Sequence, residues 1–336
     1  MKIIDFENHF ATEAWIETLR ANADYPKIVD QSNGNSRLYF ASNAYLPFGV
    51  KEKLLDFDDA RIQAMDSAGV DMAVLSLTAP GVESLEPSIG TKLAERCNDE
   101  LAATIDRHPD RYLGWAALAP KRPDSAASEL ERCVRDLGFV GWNTHCNFGD
   151  SYLDEKRYWP ILAKAEELDV PVYLHPTVPI IHQFRTYGQG LAGASFGFGA
   201  ETAMVMMRLI MSGALDTFPR LRIVLGHYAE GLPFMLNRVD RPYLGGHVET
   251  DPSVAPALKR MPSDYLRQNM IATTSGNYNA EAFDCTTKGL GCGNVLLGTD
   301  YPFESMKACL DFLEDQAWSD GDKERTYAGT AVLSRR

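Results

Sequence analysis

The chain has 336 residues, a formal net charge of −13 and an isoelectric point near 5.0, a balance that excludes a nucleic-acid-binding surface, which needs clustered Lys and Arg to neutralise phosphates. No apolar run approaches the roughly 18 residues of a membrane span, and the apolar start is broken by Asp5 and Glu7, unlike the core of a signal peptide. Six cysteines occur without any C-x-x-C spacing, as expected for reduced thiols in a cytoplasmic protein, so the expected partner is a small molecule, with no nucleic acid and no membrane.

Short β-rich apolar runs are predicted at 3–6, 71–77, 112–117, 139–142, 170–174, 222–225, 270–273 and 295–297, alternating with helical patterns such as 90–107, 124–137, 158–168, 200–212 and 279–288. Near-continuous apolar strands are what a parallel sheet covered on both faces requires. Eight βα units predict an α/β fold, a (β/α)8 TIM barrel forming a single domain over 1–336 with loop insertions at its C-terminal face. The rival, an open doubly wound sheet, lacks a G-x-G-x-x-G turn after the first strand. Three segments exceed ordinary loop length, 10–55, 177–199 and 228–264. All follow strands, so they fall on the face where this fold varies its chemistry. Within the second, glycines at 188, 190, 193, 197 and 199 make either a lid or a plain connector.

Polar residues recur where these runs stop: Glu7 and His9, His175, His227, the string Thr273-Thr274-Ser275-Gly276-Asn277, and Asp300. In a parallel barrel the C-terminal strand ends meet at one mouth, so residues far apart in sequence can surround one ion. Glu7 and His9, two apart, point to the same side of a strand, and a carboxylate with an imidazole suits zinc or manganese. A buried Asp300 needs a cation or several donors. Glu230, three residues after His227, is placed to orient that ring, so His227 reads as a general acid or base, or as a further ligand. After the fourth strand either Asn143 or His145 turns inward. His108 falls in a turn at the opposite end and reads as structural, while His182 and His247 lie in long loops. Neither a G-x-S-x-G nucleophile elbow nor a phosphate loop is expected.

The strings Glu7-Asn8-His9-Phe10, Met65 to Asp71, Leu75 to Glu83, Tyr173 to Pro176, Leu225 to Phe234, Thr273 to Asn277 and Gly298-Thr299-Asp300-Tyr301-Pro302-Phe303-Glu304 together resemble the metal-dependent amidohydrolase superfamily, in particular its decarboxylase branch related to aminocarboxymuconate semialdehyde decarboxylase and the hydroxybenzoate decarboxylases. The resemblance implies one divalent metal ion, zinc or manganese, on Glu7, His9, His175 and Asp300. It implies catalytic or orienting roles for Asp300, His227 and Glu230, and substrate contacts from Arg238, His145, Ser275 and Asn277. The implied reaction is nonoxidative decarboxylation of an ortho-hydroxy aromatic carboxylate, the alternative being metal-dependent hydrolysis of a lactone, ester or amide, and the implied assembly is a homodimer or homotetramer. Two departures stand out. Asn8 replaces the middle glutamate of a common E-E-H opening, and Gly329-Thr330-Ala331 replaces G-N-A. The segments 33–50 and 177–199 match least, and substrate identity is expected to reside there.

Overall fold

A computed structural model describes residues 1–248, 251 and 254–333; residues 249–250 and 252–253 of the third long segment, and the last three of the expected domain, lie outside the described residues. Its strands are β1 (Ile4–Phe10), β2 (Lys27–Asp30), β3 (Ser36–Ala41), β4 (Ala44–Pro47), β5 (Met72–Leu77), β6 (Tyr112–Ala117), β7 (Gly141–His145), β8 (Val172–His175), β9 (Ile223–Leu225), β10 (Met270–Thr273) and β11 (Val295–Leu296). Eight of them form one sheet in the order β1-β5-β6-β7-β8-β9-β10-β11. The segment after β11 closes the ring against β1: Phe6 N donates to Leu297 O (2.8 Å), Asp300 N to Glu7 O (2.8 Å) and His9 N to Tyr301 O (2.7 Å). The fold is therefore the expected (β/α)8 barrel, and the hydrogen bonds that close it also fix Asp300 beside Glu7.

The helices that cover the barrel start where local chemistry starts them. Pro87–Arg107 opens on a proline, with the Glu86 carboxylate accepting from Ser88 N and Ile89 N, and it buries Leu93, Ala94, Cys97 and Leu101. Asn279 caps Ala280–Leu290 by accepting from Ala282 N at 2.9 Å. Inside the ring, Ile4, Phe6, Met72, Val74, Trp115, Val140, Tyr173, Val224, Ile271 and Leu296 form a separate buried cluster, the filled interior expected of this fold.

Strand β1 breaks the simple alternation. Asp5 pairs with Ala73 and Asn8 with Leu75, so Phe6 and Glu7 both fall opposite Val74. Strict alternation from the inward-facing Ile4 and Phe6 would send Glu7 and His9 outward; the bulge shifts the phase, so both face the barrel axis above Phe6. Asn8 then points outward, bridging Asp5 (Nδ2 to Oδ2, 2.8 Å) and the fully buried guanidinium of Arg61. Burial pushes the Asp5 carboxyl up to about 6 against its hydrogen bonds from Thr299, Asn8 and Glu7.

The opposite end is plugged by the last helix, Thr330–Leu333, whose Val332 joins the interior cluster. Gly329, at φ +65°, leaves no room for a side chain, since an added Cβ would lie 2.1 Å from Phe6 Cζ. Gly329→Ala is expected to cost about 2–4 kcal/mol through the clash and the left-handed backbone, read as a lower denaturation midpoint; an unchanged midpoint would mean that the plug is not packed on Phe6.

The long segment after β1 is not an irregular loop. It contains a helix, Glu13–Ala21, capped by Thr12, and the antiparallel meander β2-β3-β4. The segment 177–199 carries a short turn of helix at Gln189–Ala192 and leads into the helix Gly197–Met211; Ala192 packs with Ala41, Ala44 and Val178. Within the glycine-rich stretch Ala192, Gly193 and Gly197 are buried, while Gly190 and residues 194–196 are exposed.

Candidate metal centre and substrate cavity

Four side chains from three parts of the ring converge at the mouth: Glu7 and His9 from β1, His175 from the end of β8 and Asp300 after β11. One ligand atom from each lies within 4.8 Å of all the others, the arrangement a metal ion needs. His175 Nδ1–H donates to Pro176 O (2.9 Å), so Nε2 keeps its lone pair, 3.7 Å from Glu7 Oε1. His9 Nδ1 is engaged by Ser76 Oγ (2.9 Å), with Nε2 3.0 Å from Asp300 Oδ1. Thr273 Oγ1 donates to Glu7 Oε2 (2.5 Å). Each inner atom is oriented through its outer one, as metal ligands commonly are. Glu7 Oε1, His9 Nε2 and His175 Nε2 are buried without a hydrogen-bond partner, a costly arrangement unless a cation completes it.

Two glycines make this possible. A Cβ on Gly298 would sit 2.8 Å from Glu7 Oε2, and one on Gly226 would sit 3.0 Å from Glu7 Oε1. Burial alone would raise the Glu7 carboxyl, but the neighbouring imidazoles of His175 and His227 bring it down to about 2. Burial likewise opposes ionisation of Asp300, and the neighbouring imidazoles of His227 and His9 overcome it, holding that carboxyl well below its usual range. Both carboxylates are therefore ionised at neutral pH, as ligands must be. Thr273→Val is expected to weaken metal binding about 10–100-fold, measured by competition with a chelating dye; unchanged affinity would show that Thr273 does not orient Glu7.

His227 stands on an unusual backbone. Four consecutive residues, His227 to Glu230, have φ between 52° and 58°, a single left-handed turn followed by Gly231 at 77°. Such a turn costs roughly 1–2 kcal/mol per residue, and strain of this kind collects at functional sites. Its product is the His227 Nδ1 to Glu230 Oε1 contact of 2.8 Å, with Nε2 left facing Glu7 Oε1 (3.7 Å) and Asp300 Oδ2 (3.9 Å). Ser275 Oγ accepts from His227 N at 3.1 Å and secures the start of the turn. Burial lowers the His227 pKa, but Glu230, Asp300 and Glu7 together carry it well above the usual imidazole range.

Above the four ligands lies a cavity of about 210 Å³. Its walls come from the meander (Leu38, Phe40, Leu46, Pro47, Phe48, Val50), from the second insertion (Gln189, Ala194, Phe198), and from Thr78, Ala79, Pro176, Phe303 and Glu304, with His175, His227 and Asp300 at the floor. A void on the order of 150 Å³ accepts benzene, so this one takes a single ring with small substituents.

A model of the amidohydrolase family matches residues 4–332. The γ-resorcylate decarboxylase of a Polaromonas species is 36% identical over 98% of this chain and 96% of its own length. The chain belongs to the amidohydrolase family. Among solved structures, the 5-carboxyvanillate decarboxylase of Sphingomonas paucimobilis superposes with a TM-score of 0.87 at 34% identity, covering 98% of this chain and 97% of that one. The dihydroxybenzoic acid decarboxylase of Polaromonas, solved with manganese and the inhibitor 2-nitroresorcinol, gives 0.83 at 34% identity over 100% and 98%.

Measured against the sequence expectations, this amidohydrolase brings together Glu7, His9, His175, Asp300, His227 and Glu230. None of the four residues expected at the substrate lines this cavity. Arg238 and Asn277 are exposed, Ser275 is fully buried under His227, and none of these three lines the cavity. His145 does face inward, and so does Asn143, since residues two apart on β7 share a side and pair with His175 and Tyr173. Yet His145 lies buried beneath the cavity wall, its Nδ1 2.9 Å from Glu83 Oε1. His108 makes a peripheral contact with Asp58 (2.6 Å), and neither His182 nor His247 lines the cavity. A G-x-S-x-G spacing, contrary to expectation, does occur at Gly193-Ala194-Ser195-Phe196-Gly197, but it forms an exposed turn after a short helix, with Ser195 donating to Gly190 O; it is no strand-to-helix elbow. Ser76 and the lining residues Thr78, Gln189 and Glu304 carry no role in the sequence reading, and Thr273 enters it only as part of its polar string. Of these, Ser76 was within reach of pattern reading, because it pairs with His9 in the register.

Proposed function

We propose that this amidohydrolase is a nonoxidative decarboxylase of an ortho-hydroxy aromatic carboxylate, a carbon–carbon lyase acting on a hydroxybenzoate-type acid. The reading rests chiefly on the buried, unpartnered ligand atoms of Glu7, His9 and His175 beside Asp300 at the floor of a cavity sized for one ring. Relatives across the whole chain length are named as decarboxylases of such acids, which supports it. A zinc or manganese ion on Glu7, His9, His175 and Asp300 would supply Lewis-acid stabilisation for the hydroxy acid.

The chain's own groups supply the proton and its path. His227 holds a proton between Glu230 and Asp300, with Nε2 3.9 Å from Asp300 Oδ2. Asp300 passes that proton to the ring carbon bearing the carboxylate. A carbon–hydrogen bond forms there, the bond to the carboxylate carbon breaks, its electron pair restores the aromatic ring, and carbon dioxide leaves. His227, 23% exposed, is then reprotonated from solvent. The apolar walls keep bulk water from the ring.

Glu230→Gln removes the carboxylate that keeps His227 protonated, against the opposing charge of any bound dication. With less opposing negative charge the imidazolium loses its proton at lower pH. The basic limb of the kcat profile should therefore move to lower pH, with kcat down about 10–100-fold. An unmoved limb would take His227 out of the proton path. The reading itself is tested by assaying manganese-loaded protein for carbon dioxide release from salicylate-type acids beside a panel of lactones, esters and amides. Hydrolysis without decarboxylation would overturn it.

By the same reading the protein is cytoplasmic and assembles as a homodimer or homotetramer. The first is supported by six free thiols. The second is supported by the exposed apolar side chains Phe234 and Leu244 on the third long segment.

A further inference from the structure

Asp5 lies two residues before Glu7 and, like Asn8, Arg61 and Thr299, is fully buried within this one chain, out of reach of a partner subunit. Its carboxylate accepts four hydrogen bonds, and three of them come from the segments that carry the two acidic ligands. Oδ1 takes Glu7 N (3.1 Å) at the bulge of β1 and Thr299 N (3.0 Å), while Oδ2 takes Thr299 Oγ1 (2.6 Å). Thr299 immediately precedes Asp300. The fourth donor is Asn8 Nδ2 (2.8 Å), whose amide oxygen accepts in turn from Arg61 Nη1. The rest of that guanidinium donates to the carbonyls of Asp56 and Lys53, at 2.8 Å each.

Glu7 and Asp300 bear like charges, and holding them close enough for one ion before the ion arrives is opposed by their repulsion. The backbone bond from Asp300 N to Glu7 O joins the two segments, but a ligand set must be held to within about 0.5 Å. Asp5 adds a side-chain restraint on both segments at once. It also adds a third carboxylate to a buried region, a costly step unless a cation balances it, and Arg61 stands one amide away. The departure at Asn8 fits this arrangement, because a neutral amide donates to Asp5 and accepts from Arg61 together, which an ionised glutamate in its place cannot do.

We propose that Asp5 is a positioning residue of the metal centre: through Thr299 its carboxylate clasps together the segments that carry Glu7 and Asp300, and Arg61 balances its charge across the Asn8 amide. The inference rests on the ligand set Glu7, His9, His175 and Asp300, whichever reaction the centre performs. The test strips the protein of metal and titrates manganese against a chelating dye in the parent, Asp5→Asn, Thr299→Val and the double variant, with thermal midpoints taken on the same metal-free samples. Asp5→Asn keeps an oxygen for the two N–H groups and loses the acceptor for Thr299 Oγ1, whereas Thr299→Val removes the hydroxyl alone. Each should weaken manganese binding about 10–100-fold. The double variant should bind about as the Asp5→Asn protein does, since both single changes break the same bond. A lowered midpoint with unchanged manganese affinity would make Asp5 a staple of the barrel seam only and overturn the inference, as would losses that simply add. Should Asp5→Asn not fold, Thr299→Val decides alone, and unchanged affinity there overturns it. Glu7→Gln run alongside separates the inference from its premise. If it too leaves manganese affinity unchanged, the ligand set falls together with the inference; if Glu7→Gln alone weakens binding, the ligand set stands and only the inference falls.

Discussion

Asp300→Asn is expected to lower kcat for decarboxylation by at least about 1000-fold, the upper part of the range for loss of a positioned acid, while the protein stays folded. Asp300 sits where three demands meet. Its backbone N–H bonds Glu7 O and helps close the barrel. Its Oδ1 lies 3.0 Å from His9 Nε2 among the ligands, and its Oδ2 lies 3.9 Å from His227 Nε2. The asparagine keeps the backbone bond and one oxygen but can no longer carry a proton to the ring. Metal content measured on the same preparation separates the two roles. Lost turnover with metal retained marks the proton carrier, whereas full turnover with metal retained would remove Asp300 from the acid role.

Glu7→Gln should reduce metal affinity by about 100-fold or more and take activity with it, since a negative ligand is replaced by an amide that turns either an oxygen or an NH2 group toward the ion. Gly226 and Gly298 pack against the Glu7 carboxylate, and the substitution leaves Asp300 as the one negative ligand in the set. Metal stoichiometry and a competition titration read the effect directly. A Glu7→Gln protein that held manganese as tightly as the parent would contradict the ligand set.

Much of this was legible because a parallel barrel converts strand ends into neighbours. His175 and Asp300 follow apolar runs, and their convergence needs only the fold. The first strand was legible for a less secure reason. Spacing alone puts Glu7 and His9 on the same side, but which side depends on a bulge that pairs Phe6 and Glu7 with Val74, and no residue in Asp5-Phe6-Glu7-Asn8 announces it. The His227 turn was half visible. The three-residue step to Glu230 suggested a pair, yet four non-glycine residues in left-handed conformation contradict local preference and are imposed by tertiary packing around the centre. The cavity wall was located in the right segments, 33–50 and 177–199, without its residues. Those segments fold as a meander and a packed turn whose inward faces are set by contacts with each other. Arg238, Asn277 and Ser275 do not line the cavity, since adjacency in a motif string says nothing about side-chain direction once the chain leaves the strand.

In the proposed reaction a solvent-derived proton, carried through His227 and Asp300, takes the place of the carboxylate on the ring. The most direct measurement is turnover of an ortho-hydroxybenzoate by manganese-loaded protein in heavy water, with the phenol product read by NMR. One deuterium at the former carboxylate position, formed in step with released carbon dioxide, is the expected result. Protein loaded with metal that leaves every such acid intact while cleaving a lactone or ester would contradict it.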